Sequence, residues 1–157
     1  MKTDFKVIAA LPEKFQHLFA MNEAELANLG ARRMTVDHKP GFPCRVSLQD
    51  AEIGETVILT TFAHHEVNSP YQSSGPVFVR ERVPAASMAI NEVPDMLKER
   101  LLSIRAYNES GMMVGATVVE GQATETVIRQ FFEQIEVAYL HVHNANPGCF
   151  NCTVERA

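Results

Sequence analysis

Residues 101–138, LLSIRAYNESGMMVGATVVEGQATETVIRQFFEQIEVA, carry two different periodicities one after the other. LLSIRAY (101–107) and MMVGATVVE (112–120) read as strands, and NESG (108–111) puts glycine where a hairpin loop needs a left-handed residue. TETVIRQFFEQIEVA (124–138) then changes period. Ala123, Val127, Ile128, Phe131, Phe132 and Ile135 recur at helical spacing on one face. Glu125, Arg129 and Glu133 run down the other face, four apart with alternating sign. Thr124 is placed to cap the first turn. A helix with a single apolar face must lie on something apolar, and a sheet containing the 101–120 hairpin is the available surface.

Working outward, FKVIA (5–9), RRMTVD (32–37), RVSL (45–48), TVILTTF (56–62), VFVRE (77–81), YLHVH (139–143) and CTVER (152–156) read as further short strands. PEKFQHLFAMNEAELANLG (12–30) reads as helix, with Pro12 at a first helical position and Gly30 as the stop. Phe15, Leu18, Phe19, Leu26 and Leu29 recur near helical spacing, and Asn22 is a point where the segment could divide. HKPGFPC (38–44) is a loop, QDAEIGE (49–55) a turn, HHEVNSPYQSSGP (64–76) a long polar loop, and PDMLKE (94–99) one helical turn. Strands mostly follow strands. The expected fold class is therefore α+β: one domain over 1–157, with a mainly antiparallel sheet of short strands. The amphipathic helix 124–138 and the N-terminal helix pack on it.

The 157 residues can bury about two-thirds of their unfolded surface, so neither a disulfide nor a metal is needed for stability. A net charge of −5 with no basic run excludes nucleic acid as an expected partner. The N-terminal apolar run VIAAL is shorter than the ~7–15 residues of a signal-peptide core. No run approaches the ~18 apolar residues of a membrane span, so no membrane association is expected and the expected location is cytoplasmic. Three cysteines, Cys44, Cys149 and Cys152, are an odd number and argue against a disulfide framework.

FPCRVSLQDAEIGETVILTTF, SPYQSSGPVFV, LLSIRAYN and YLHVHNANPGCFNC resemble successive blocks of the bacterial family catalogued as domain of unknown function 1203. The resemblance runs over nearly the full chain. It implies a bacterial single-domain protein and carries over no catalytic residues.

Chemistry concentrates in HVHNANPGCFNC (141–152). On a strand His141 and His143 share a face at ~6.6–7 Å, and NANPG can return Cys149 toward them. Zinc accepts imidazole and thiolate in tetrahedral geometry, which makes His141, His143, Cys149 and Cys152 candidate ligands. If 149–155 is extended, however, the two cysteines face opposite sides, and an ordinary hairpin with Cys152 and Val154 inward results. A third possibility makes Cys149 a nucleophile with His143 as its general base.

The 64–76 segment crowds His64, His65, Tyr71 and Ser74 into what is either a solvated connection or a wrap for a polar ligand. Arg105 shares a strand face with Leu101, Ser103 and Tyr107. An arginine there, like Arg45 at a strand start, either pairs with a carboxylate (Asp50, Glu55 or Glu120) or awaits an anion. The carboxylates Asp50, Glu52 and Glu55 match no calcium-loop spacing and read as a solvated turn. Two functions remain open. One is a small-molecule-binding protein or enzyme taking a small anionic ligand in a His/Cys/Arg pocket beside the C-terminal hairpin. The other is a non-catalytic protein that self-associates, as a homodimer, through edge strands.

Overall fold

The computed structural model describes residues 3–157. The chain runs β1 (Phe5–Ile8), two 3₁₀ turns (Pro12–Lys14 and Gln16–Ala20), α1 (Glu23–Asn28), β2 (Arg32–Thr35), β3 (Thr56–His65) and β4 (Ser73–Arg80). It continues through α2 (Asp95–Lys98), β5 (Leu101–Tyr107), β6 (Met113–Glu120), α3 (Thr124–Phe132), β7 (Tyr139–Asn144) and β8 (Phe150–Arg156). The strands form two sheets, ordered β1-β8-β7-β5-β6 and β2-β3-β4, and the strand pairs within them are antiparallel. The architecture is the expected α+β, with two sheets sharing the strands.

Alternation along β5 divides the larger sheet into two unlike faces. Leu102, Ile104 and Ala106 join Leu140 and Val142 of β7 and Cys152 and Val154 of β8 in a core closed by Ile128 and Phe132 of α3. The period of two sends Ser103, Arg105 and Tyr107 to the opposite face. Register places Arg105 opposite His141 and Ser103 opposite His143. The smaller sheet has its own core, in which Ile58, Val77 and Val79 pack on Phe15, Leu18 and Leu26. The N-terminal segment therefore covers the smaller sheet, and α3 covers the larger.

Several local expectations change. The 12–30 segment is two 3₁₀ turns and a short α1 rather than one helix. Asn22 and Glu25 form a reciprocal capping box that starts a new helix, and Leu29 is exposed. RVSL is a turn, with Leu48 at φ 53° and the Leu48 amide donating to the Cys44 carbonyl. Burial of the Arg45 side chain pulls this segment inward, against the β-propensity of its residues. The 64–76 loop is strand at both ends: His64 and His65 end β3, β4 begins at Ser73, and only 66–72 connect them.

The last helix stops at Phe132 because Arg156 of β8 donates to the carbonyls of Phe132, Gln134 and Val137. Ile135, expected on the apolar face, is 98% exposed. Thr124 does not cap through its amide-accepting oxygen; its hydroxyl donates to Gly121 O at 2.6 Å.

Gly121 is the tightest point of this framework. Its amide donates to Arg100 O at 2.8 Å, and an added Cβ would meet Leu97 O at 2.1 Å, a backbone atom that cannot rotate away. Gly121→Ala is expected to cost about 1–3 kcal/mol, read as a lower urea midpoint with an unchanged slope. An unshifted midpoint would contradict the close approach of α2 to the start of α3. Among the described residues no helix is long and apolar enough to cross a membrane.

Candidate metal centre

His141 and His143 of β7 project together from the polar face of the larger sheet, only 3% and 1% exposed. The end of β3 covers them. Its pairing with β4 slips between Phe62 and His65. Such a bulge adds a residue to one strand and re-aims its side chains, so two consecutive histidines turn toward β7. The ring of His64 lies 5.1 Å from that of His143 and 6.0 Å from that of His141; the ring of His65 lies 4.8 Å from that of His141. Phe150, opposite His143 across a second bulge, stacks on His64 at 5.0 Å with 6° between planes.

One ring nitrogen each from His64, His141 and His143 lies within 4.8 Å of the other two. The hydrogen bonding leaves these rings unsatisfied. His143 Nδ1 donates to Gly148 O at 2.9 Å, which fixes its tautomer and leaves Nε2 as a lone pair without a partner. His64 Nδ1 and His141 Nδ1 are also buried and unpartnered. Burial is the main cause that pushes the His141 pKa down to about 3 and those of His64 and His143 to about 4. Repulsion from neighbouring histidines and from Arg105 adds to it. All three imidazoles are neutral at pH 7, the state a metal requires. Zinc–nitrogen bonds of ~2.0–2.1 Å would space tetrahedral ligands about 3.3 Å apart, so the rings would close by about 1.5 Å around an ion.

His65 is different because both its nitrogens are used. Nδ1–H donates to Tyr71 O at 2.8 Å, and the Tyr139 hydroxyl donates to Nε2 at 2.6 Å. Tyr139 stacks on Tyr107 at 5.4 Å, and the Tyr71 ring lies 6.2 Å from that of Tyr107, so the chain's three tyrosines gather at this edge. Burial raises the pKa of Tyr107 and Tyr139, which keeps both phenols protonated. A cavity of about 530 Å³ opens here, walled by His65, Tyr139, His141 and Thr153. A larger cleft of about 770 Å³, beside α2 and the 47–52 turn, holds none of these histidines.

The other candidates from the sequence take separate places. Arg105 is half-buried; Nε donates to Ser103 Oγ at 3.3 Å, and it joins no ion pair among the described residues. Asp50 pairs with Arg100 and Glu55 with Arg80, so neither serves Arg105. Arg45 is 1% exposed and donates to Phe150 O at 2.7 Å and to Pro43 O, a sealed strut between the 43–48 turn and β8. Its pKa is lowered by burial and partly restored by Cys149 beside it. Cys149 is half-buried, and its sulfur accepts from Asn144 Nδ2 at 3.2 Å. Cys152 lies in the apolar core on the far face of β8, where burial pushes its thiol up to about 12. Ser74 is exposed on β4.

The structure thus joins His141 and His143 with His64, and not with the two cysteines. The sequence signal for His64 was its place two residues after Phe62, on a strand that extends further than its β-branched run suggests. A family model described as a protein of unknown function (DUF1203) matches residues 41–156, a span that contains all three histidines and Arg105. No curated protein and no solved structure matches the chain.

Proposed function

The chain belongs to the DUF1203 family, and we propose that it binds a divalent transition-metal ion, zinc first among them, through His64, His141 and His143. The carrying observation is the set of three neutral, mutually close imidazoles, two buried and one half-buried, each with one buried ring nitrogen that has no protein partner. An unsatisfied buried polar atom ordinarily costs about 1–3 kcal/mol, and three in one place argue for a ligand that satisfies them together. An all-imidazole set suits zinc, copper, nickel or iron and is poorly matched to magnesium or calcium. Gly148 O orients His143 from behind, as an outer-shell partner does for a metal-bound histidine, and Phe150 stacks flat on His64.

Three protein ligands leave a fourth position for a water or a small molecule, where an ion would supply Lewis acidity. His65 and Tyr139 present a fixed hydrogen-bonded pair at the adjoining cavity. Less favours His143 as the base of a Cys149 nucleophile. Its Nδ1 is committed to Gly148, and its open Nε2 belongs to the histidine group.

Metal-stripped protein titrated with zinc against a chromophoric chelator should take up one equivalent. His64→Ala and His141→Ala should each weaken uptake by more than the ~10–100-fold that loss of an outer-shell partner costs. Cys149→Ser and Cys152→Ser should leave it unchanged. Failure of the parent protein to take up stoichiometric metal overturns the proposal, and loss of uptake in Cys152→Ser alone would move the ligand set.

A further inference from the structure

We infer that Arg105 is the second arm of this site and that the ligand is a small oxyanion of the carboxylate or phosphate class. One oxygen would enter the ion's open position while the guanidinium holds another. The inference rests on the metal reading and adds the identity of what binds beside the ion. It is carried by register. Arg105 is the cross-strand partner of His141, and Ser103 is the partner of His143. Directly opposed residues on one face of an antiparallel pair have Cβ atoms ~4.5–5.5 Å apart, so the arginine rises from the sheet next to the ligand histidines.

Its bonding is incomplete in the direction that matters. Nε is held by Ser103 Oγ and the Tyr107 phenol lies within hydrogen-bond reach of the guanidinium, but among the described residues no carboxylate and no backbone carbonyl takes the terminal nitrogens. The remaining arginines of the larger sheet and its helix are engaged: Arg100 with Asp50, Arg129 with Glu125 and Thr3 O, and Arg156 with the carbonyls after α3. A planar guanidinium offers two parallel donors that match two oxygens of a carboxylate or phosphate.

Charge balance points the same way. Three neutral imidazoles and a divalent ion beside Arg105 would gather three positive charges on a face to which no carboxylate is bonded. Glu109 and Glu155 at the rim of the neighbouring cavity are exposed and bond none of these groups. An anion is the ligand that such a face retains, and the half-buried position keeps the interaction from being fully screened by solvent.

The test uses the cobalt(II)-loaded full chain, whose visible spectrum reports the ion's fourth ligand, titrated separately with acetate and with inorganic phosphate. The parent protein should give a saturable spectral change with at least one of them, and the responding anion identifies the class. Arg105→Gln should weaken that response about 10- to 100-fold, the loss of a charged hydrogen bond. Arg105→Lys, which keeps the charge but not the fork, should fall between. Cobalt affinity itself should stay equal or rise in Arg105→Gln, because a neighbouring cation is gone. Cobalt uptake with no anion response, or with equal responses in parent and Arg105→Gln, overturns this inference alone. Absence of cobalt uptake in the parent protein overturns the metal site as well.

Discussion

Acidification of the metal-free protein from pH 7 to 4.5 should remove about 3–5 kcal/mol of stability, a large share of the ~5–15 kcal/mol typical of a domain. The folded state holds His141 neutral down to about pH 3, and His64 and His143 down to about pH 4, mainly through burial. In the unfolded chain the same groups titrate at 6.5, so below that pH the unfolded state binds more protons and gains free energy. Stability is therefore complete above pH 6.5 and falls as the pH drops toward 4, at about 1.4 kcal/mol per pH unit for each fully buried histidine. His64 counts for less, because it is only half-buried. Glu55, held below the ordinary carboxylate range by hydrogen bonds from Arg80, acts in a separate window. Its contribution is present above pH 4.5 and fades below it. Urea midpoints at pH 7.5, 6.5, 5.5 and 4.5 measure the loss. His141→Gln should flatten the curve between pH 6.5 and 4.5 by about one proton's worth. A midpoint that holds steady across that interval would mean the imidazoles are solvated.

Asp50→Ala should cost about 3–5 kcal/mol, the scale for removing one partner of a buried ion pair. Asp50 has 5% of its side chain exposed and receives two guanidinium hydrogen bonds from Arg100, at 2.6 and 2.9 Å. Arg100 also donates to Met96 O at 2.7 Å, so the pair locks the 43–50 turn to α2 and the start of β5. Alanine leaves a largely buried cation without its counter-charge. The double variant Asp50→Ala/Arg100→Met should recover most of the loss, because the penalty lies in the stranded charge. Denaturant curves for the two singles and the double complete the cycle. Additive losses would show that Arg100 is solvated independently of Asp50.

The sequence was most legible where the structure depends on near neighbours. The 101–120 hairpin and the start of the helix after it rest on alternation, a glycine at φ 75° and a 3.6 spacing, all local properties. Where the end of an element is fixed by a distant partner, local reading failed. The helix closes six residues early because Arg156 takes its carbonyls, and nothing in TETVIRQFFEQIEVA announces that. RVSL has strand residues, yet the Arg45 side chain is buried against Phe150, and that long-range strut outweighs propensity. The histidine site divides in the same way. His141 and His143 could be placed on one face from alternation alone. Alternation from Phe62 gives His64 its face, but replacing the cysteines by it needed the approach of one sheet to the other, which no period in the sequence encodes.

His64 and its two partners belong to strands far apart in the chain and in different sheets. A polypeptide still emerging from the ribosome displays His64 long before β7 exists, so the grip cannot form until the final hairpin has been made and the sheets have met. A ligand that needs all three rings therefore meets them together only in the finished fold. The rate at which the mature grip appears after dilution from denaturant reports the docking of one sheet on the other.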